Sequence, residues 1–541
     1  MSGRARRGID DQMAAIAVCV LRRLRARRSS RYSWSRRGSL PELKMSILER
    51  LTEVFAHPKA LAAAVAARPD ARVHISCVVD DQPRFRMEAW NWLLSLNALR
   101  TRCRVFVHHM PGALPEKTQA QFRALGATLI ETAPFGAGAA RYCNKIRQLA
   151  TRELLDADFV ILSDADIVFL KDPYLLVRAG RFRAKTVDAP NPPQPIWSKL
   201  CERAGLAEKM DGVALEMYPK ERTFRTNFNG GLYVMPGAAA EALGALWERW
   251  ARFCLKQPDL LGKYLHHSDQ LGMGMALAES DIPIDPLPAG ANLPIHFEKR
   301  LLARIRRQEI SGIHYHRHVE AHGLPCDVGI PWIDRAIRRV REELVVERRK
   351  GFANDLFWDY RYAQFPELGS GLGSRGEVLA RKQSLLRPYV EKIGADTLLD
   401  VGCGDLEVFA PLPVVNYTGI DVSEQALAVA RGKRPDWGFE ARGISDFGTE
   451  SFDYTCCIDV LIHQPSEAAA QALARELVRV ARKGVLFSAH TEIIDGSGIS
   501  FNSGRLREYV ALLPGVCEVS EIGRYRDTTL YFARKRPEAR P

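Results

Sequence analysis

The stretch Leu399-Asp400-Val401-Gly402-Cys403-Gly404-Asp405, with Asp421 standing 19 residues after Gly402, constrains this chain more than any other feature. A short apolar strand runs into a glycine turn, and an acidic residue closes the next strand. This is how an α/β sheet grips a nucleoside. Gly402 and Gly404 let the backbone approach the ligand, and Asp421 is placed to accept hydrogen bonds from both ribose hydroxyls. A dinucleotide site needs a third small residue to admit the pyrophosphate; that position here is Glu407. An anionic side chain repels a pyrophosphate and suits the cationic sulfonium of S-adenosylmethionine, which becomes the expected cofactor.

The segment after Thr397 alternates strands and helices. Strands are expected at 398–401, 417–421, 438–442, 452–458 and 485–489, a helix at 468–480, and a late strand pair at 516–522 and 528–533. Such alternation predicts a mostly parallel sheet. From Thr397 onward the chain resembles a class I methyltransferase with a Rossmann-like fold. The resemblance implies that Gly402, Gly404 and Asp421 hold the cofactor, that Asp446 faces the adenine amine, and that His463, after the fourth strand, is the candidate base or a wall of the cofactor pocket. Upstream lie Trp358-Asp359-Tyr360-Arg361-Tyr362 and the glycine-serine block 369–376. By composition the block reads as a flexible linker. It also resembles the entry loop of methyltransferases from surface-polysaccharide gene sets, which implies that Arg375 meets the methionine carboxylate.

At 541 residues the chain has room for two or more domains. Its formal charge of +13 is uneven: residues 1–44 hold 11 Arg and one Lys against Asp10, Asp11 and Glu42, a net +9, which leaves +4 for the remainder. A near-neutral body argues against nucleic-acid binding. The basic head reads as a disordered tail, as sequence upstream of a true start at Met45, or as an attachment to anionic lipid. No apolar run reaches the length needed to cross a bilayer. The eleven cysteines include Cys456-Cys457 in an expected buried strand and form no C-x-x-C pair, so reduced core thiols and a cytoplasmic location, with peripheral contact at the inner membrane face as an option, are expected.

A second chemistry lies in the first half. The run 159–170, Phe-Val-Ile-Leu-Ser-Asp-Ala-Asp-Ile-Val-Phe-Leu, is an apolar strand interrupted by Asp164 and Asp166. In extended chain these project to one side, and two carboxylates in a buried run need a counter-charge such as Mg²⁺ or Mn²⁺. With the exit Leu170-Lys171-Asp172-Pro173, the strand resembles that of GT-A glycosyltransferases, especially the glycogenin-like and lipopolysaccharide glycosyltransferase group. Further matches follow in family order. The strand 73–79 ends at Asp80-Asp81, and Arg141-Tyr142-Cys143-Asn144-Lys145 precedes the D-x-D. Then come Asn229-Gly230-Gly231, Ser268-Asp269-Gln270 and Gly312-Ile313-His314-Tyr315-His316.

This resemblance implies a nucleotide-sugar donor contacted by Asp80, Lys145, Asn229 and Gly230. It also implies Asp269 beside the acceptor and a metal held by Asp164, Asp166 and His314, with His316 as the rival ligand. The family's G-x-K-P-W ending is unmatched; Gly329-Ile330-Pro331-Trp332 stands there instead.

The expected organisation is a basic head (1–44), a helical lead-in (45–71) with an amphipathic stretch at 47–67, and a GT-A domain (72–332). A helical connector (333–351) with apolar Ile333, Ile337, Val340 and Leu344 follows, and then the methyltransferase domain (352–541). The expected function is a bifunctional transferase that adds and methylates a sugar in surface polysaccharide or lipopolysaccharide assembly. The alternatives are methylation of a small molecule or protein beside a catalytically silent glycan-binding domain, and an RNA-modifying role.

Overall fold

The computed structural model describes residues 70–206, 211–490, 499 and 505–536. The basic head and all but the last residues of the helical lead-in lie outside them. Among the described residues no helix is long and apolar enough to cross a membrane.

Both halves are α/β. Buried β-branched and aromatic residues build β1 (Val73–Val79), β2 (Arg104–His109), β3 (Thr128–Glu131) and β4 (Phe159–Ser163). β5 (Ile167–Phe169), β6 (Arg183–Thr186), a small hairpin of β7 (Gly212–Ala214) and β8 (Arg222–Phe224), and β9 (Phe228–Pro236) follow. The main sheet runs β3-β2-β1-β4-β9-β6, with β1 to β4 parallel and β9 antiparallel to both neighbours. A second sheet pairs β10 (Leu293–Pro294), β11 (Gly312–His314) and β5.

The D-x-D therefore does not lie in one continuous strand, as the apolar run predicts. The chain leaves the main sheet after Ser163, turns through Asp164–Asp166 and joins the second sheet at Ile167. The carboxylates converge through that turn and not through strand alternation.

In the second half β12 (Thr397–Val401), β13 (Asn416–Ile420), β14 (Gly438–Glu440), β15 (Phe452–Cys457) and β16 (Ala481–His490) are parallel. β17 (Val516–Tyr525) and β18 (Thr528–Lys535) close an antiparallel edge, giving the order β14-β13-β12-β15-β16-β18-β17. The order reverses beside β12, and ligands bind such sheets in the crevice at that point. Of the ten described cysteines, all free, eight are buried, Cys456 and Cys457 among them.

The helix Pro331–Lys350 buries Ile333, Ile337, Val340 and Leu344 as its apolar stripe predicts. It also buries Arg348, which donates to Asn91 Oδ1 at 2.7 Å and to the His322 carbonyl at 2.9 Å. The next helix, Asn354–Gln364, lies wholly beyond the expected boundary at residue 351 yet packs on the N-terminal half. Phe352, Ala353, Leu356, Phe357 and Tyr360 belong to the core of the N-terminal half, where Phe352 meets Trp90 of the helix Pro83–Ala98. Its other side carries Trp358, Arg361 and Tyr362 into the C-terminal cavity. Three-to-four-residue spacing splits these sets between two faces of one helix.

Candidate active sites

The N-terminal cavity, about 890 Å³, opens where β1 and β4 end and β9 begins. On its floor His314 Nε2 lies 3.1 Å from Asp166 Oδ1 and 4.0 Å from Asp164 Oδ2, while His316 Nδ1 lies 3.4 Å from Asp166 Oδ2. Asp166, His314 and His316 present their ligand atoms within 4.8 Å of one another. His316 thus joins His314 in the cluster and does not compete with it. Asp164 is instead held by Lys145, which donates to its Oδ1 at 2.7 Å and to the Gly230 carbonyl at 3.0 Å.

A chain of hydrogen bonds fixes the His314 tautomer. The Asp188 carboxylate, clamped by Lys185, can only accept, so Asn229 must turn its Nδ2 toward it, at 2.7 Å. Asn229 Oδ1 then accepts from Gly231 N at 2.8 Å and from Asn292 Nδ2 at 2.9 Å. This leaves Asn292 Oδ1 facing His314 Nδ1 at 2.9 Å, which must carry the proton. In the neutral imidazole this leaves His314 Nε2 a lone pair, buried and without an aligned hydrogen bond despite its closeness to Asp166. Two acceptors at that distance repel unless a proton or a metal cation stands between them, and mixed imidazole and carboxylate donors suit Mn²⁺ or Mg²⁺. Burial and the neighbouring His314 push the His316 imidazole down to about 2, which favours its neutral form.

The remaining expected residues line the same cavity. Burial and then Asp81 raise the Asp80 carboxyl, and Asn144 Nδ2 donates to it at 3.2 Å. Asp269 lies 3.5 Å from Lys145 Nζ, and its carboxyl is raised by burial against the pull of that ammonium. Asn229 and Gly230 line the wall. Sequence reasoning missed Asp188 and Asn292. It also missed Glu88, whose carboxyl is held well above its ordinary range, chiefly by burial and then by Asp166.

The C-terminal cavity, about 750 Å³, lies over the glycine turn. Gly402 and Gly404 adopt φ of +80° and +57°, and a Cβ at Gly402 would stand 2.3 Å from Val460. Asp421 Oδ2 accepts from Gly404 N and its Oδ1 from Ser423 N, both at 2.9 Å, so the carboxylate braces the turn as well as facing the cavity. Burial pushes its carboxyl up to about 6 against the pull of those amides. Below the turn, burial does the same to Asp400, which accepts from Tyr417 OH at 2.6 Å.

The glycine-serine block is a wall of this cavity and no loose linker. Ser370 Oγ donates to Asp405 Oδ1 at 2.6 Å and meets Tyr362 OH at 2.7 Å. Arg375 does not enter the lining; its guanidinium is committed to Asp405 Oδ2 at 2.6 Å. Arg361 lines the cavity in its place, and its position in the Trp358–Tyr362 block was the available signal. Asp446 is likewise absent from the lining. Its exposed carboxylate accepts from Gly443 N at 3.2 Å, and Gly443, Ile444 and Ser445 line the cavity instead. Glu407 is neutralised by Lys433 at 2.6 Å, so its charge does less to exclude a pyrophosphate than the bare sequence implies.

His463 lines the far end, its Nδ1 2.5 Å from the Ile499 carbonyl and its ring 5.4 Å from that of Trp358; burial lowers its pKa. Asp459 is ion-paired to the buried Lys382 and accepts from Tyr525 OH at 2.6 Å. Lys117 and His322, both from before residue 332, complete the wall.

Residues 399–489 match the family model of a methyltransferase domain. No curated protein matches the chain. Magnesium protoporphyrin IX methyltransferase from Synechocystis PCC 6803 with bound SAH is similar in structure at 16% identity, covering 34% of this chain and 98% of its own, with a TM-score of 0.28. Galactosyltransferase LgtC, solved with donor and acceptor sugar analogues, is similar at 13% identity over 50% of this chain and 95% of its own, TM-score 0.34. Mouse xyloside xylosyltransferase 1 in its apo form is similar at 13% identity over 46% and 99%, TM-score 0.30.

Proposed function

We propose that the chain is a bifunctional transferase, with a metal-dependent glycosyltransferase site in its first half and an S-adenosylmethionine-dependent methyltransferase site in its second. The observation that carries the first is the bare His314 Nε2 set against Asp166 on the floor of a cavity. Asp166, His314 and His316, with Asp164 beside them, would hold a divalent cation. Such a cation offsets the charge that builds on a leaving nucleoside diphosphate. Lys145 adds a fixed positive charge, Asp80 faces the nucleoside, Asn229 and Gly230 line the sugar, and Asp269 stands toward the acceptor.

The second site rests on the methyltransferase family match and on the Asp421 brace over the glycine turn. Asp421 accepts from the ribose, Arg361 takes the methionine carboxylate in place of Arg375, and the cavity end bearing His463 receives the methyl acceptor. Together the sites fit a glycan that is first extended and then O-methylated, in the cytoplasm or at the inner membrane face, where the basic head gives electrostatic contact.

Two measurements test this. Calorimetric titration with S-adenosylhomocysteine should show one site per chain, abolished in a Gly402→Val variant that stays folded. Nucleotide-sugar turnover should require Mn²⁺ or Mg²⁺ and disappear in Asp166→Ala. Full sugar transfer in excess chelator would sink the metal assignment.

A further inference from the structure

The last residue of β16, His490, has no part in the reading so far. It sits at the carboxyl end of the parallel sheet, lines the C-terminal cavity and is 3% exposed. Its Nδ1 lies 3.3 Å from the Asp527 carbonyl. A carbonyl only accepts, so Nδ1 holds a proton, and in the neutral imidazole Nε2 is a lone pair. That Nε2 is buried and has no hydrogen-bond partner among the described residues. A buried acceptor left unpaired is costly, and a donor on a ligand bound in the cavity would satisfy it. His463 is differently placed, because its ring is packed against Trp358. Among the described residues, the titratable and charged groups around this end of the cavity are His463, Asp459, Tyr525, Arg526 and Asp527, with Asp459 already committed to Lys382 and Tyr525.

We propose that His490 is the general base of the methyl-transfer site and that the methyl acceptor is an alcohol. This deepens the methyltransferase reading and rests on it. A carboxylate acceptor would set lone pairs against the bare Nε2, whereas a hydroxyl donates its proton into it. An alcohol also needs that proton removed in order to attack. In the step, the acceptor oxygen uses a lone pair to bond the methyl carbon while its proton passes to His490 Nε2. The carbon–sulfur bond breaks with its electron pair going to the sulfonium, which leaves a neutral thioether. The products are a methyl ether and S-adenosylhomocysteine, and the imidazolium returns its proton to solvent.

The test has two arms on the full chain. ¹⁵N-histidine NMR of wild type with S-adenosylhomocysteine, assigned by comparison with His490→Gln, should show His490 protonated at Nδ1 and imine-like at Nε2; an Nε2–H tautomer overturns the proposal. In producer cells, His490→Gln should cut the O-methyl content of the surface glycan by about 100-fold or more, the scale of general-base loss. S-adenosylhomocysteine affinity should stay within about threefold of wild type, since the cofactor contacts are intact. Methylation at the wild-type level in His490→Gln overturns the assignment. Failure of wild type to bind S-adenosylhomocysteine would instead overturn the underlying reading.

Discussion

Asp421→Asn is the sharpest test of the nucleoside grip, because the substitution is conservative in shape and the structure makes it severe. Both carboxylate oxygens accept from backbone amides, Gly404 N on one side and Ser423 N on the other. Asparagine offers one oxygen, so its NH₂ must face one of those N–H groups, donor against donor. The loss combines a charge-assisted bond of about 1.5 to 3 kcal/mol with an unsatisfied donor of about 1 to 3 kcal/mol, part of which falls on the apo turn. We expect cofactor binding to weaken by about 2 to 4 kcal/mol, roughly 30- to 700-fold, in Asp421→Asn and Asp421→Ala alike.

The same carboxyl sets a pH dependence. Its pKa is raised to about 6 by burial, so it is ionised, and able to accept two ribose hydrogen bonds, only above that value. Wild-type affinity should therefore fall about tenfold from pH 7 to pH 5. The apo protein responds in the opposite sense. A carboxyl whose folded pKa exceeds its unfolded value stabilises the fold below the unfolded pKa, and that contribution is lost as pH rises through the folded one. Calorimetry with S-adenosylhomocysteine across this range measures the binding effect. An Asn variant within about threefold of wild type, with the same pH slope, would refute the reasoning.

Gly231→Ala would set its Cβ 2.6 Å from His314 Cε1. It should lower Mn²⁺ affinity about tenfold or more by turning the imidazole, as read by electron paramagnetic resonance, while leaving S-adenosylhomocysteine binding intact. Asn292→Leu should have the same effect on the metal, because it frees His314 to change tautomer; unchanged Mn²⁺ affinity would break the proposed relay. Phe357→Ala empties a fully buried site in the N-terminal core, at a cost of about 3 to 5 kcal/mol. Urea unfolding should show the loss in the N-terminal transition and weaker cofactor binding together, and an effect confined to one half would contradict the shared packing.

The sequence made the strands of the second half legible because each is a short apolar run bounded by turn residues, and Asp164, Asp166 and His314 stood out as polar residues in apolar company. What it concealed depends on pairings across the fold. Nothing local to Arg375 reveals that Asp405 will claim it, or to Glu407 that Lys433 will neutralise it. The break between β4 and β5 was hidden because Ile167 to Phe169 continues the apolar pattern while entering another sheet. His490 carried no signal, since a single histidine ending a buried strand has no spacing to read.

The helix Asn354–Gln364 has two masters. Substitutions on it must satisfy Trp90 and its neighbours on one side and the cofactor cavity on the other, so neither half is free to be exchanged for a homologue by recombination at the obvious seam. A productive crossover would have to fall after Gln364, carrying this helix with the N-terminal half and obliging the incoming domain to accept Trp358, Arg361 and Tyr362 as part of its own binding wall. The unit of inheritance is thus the pair.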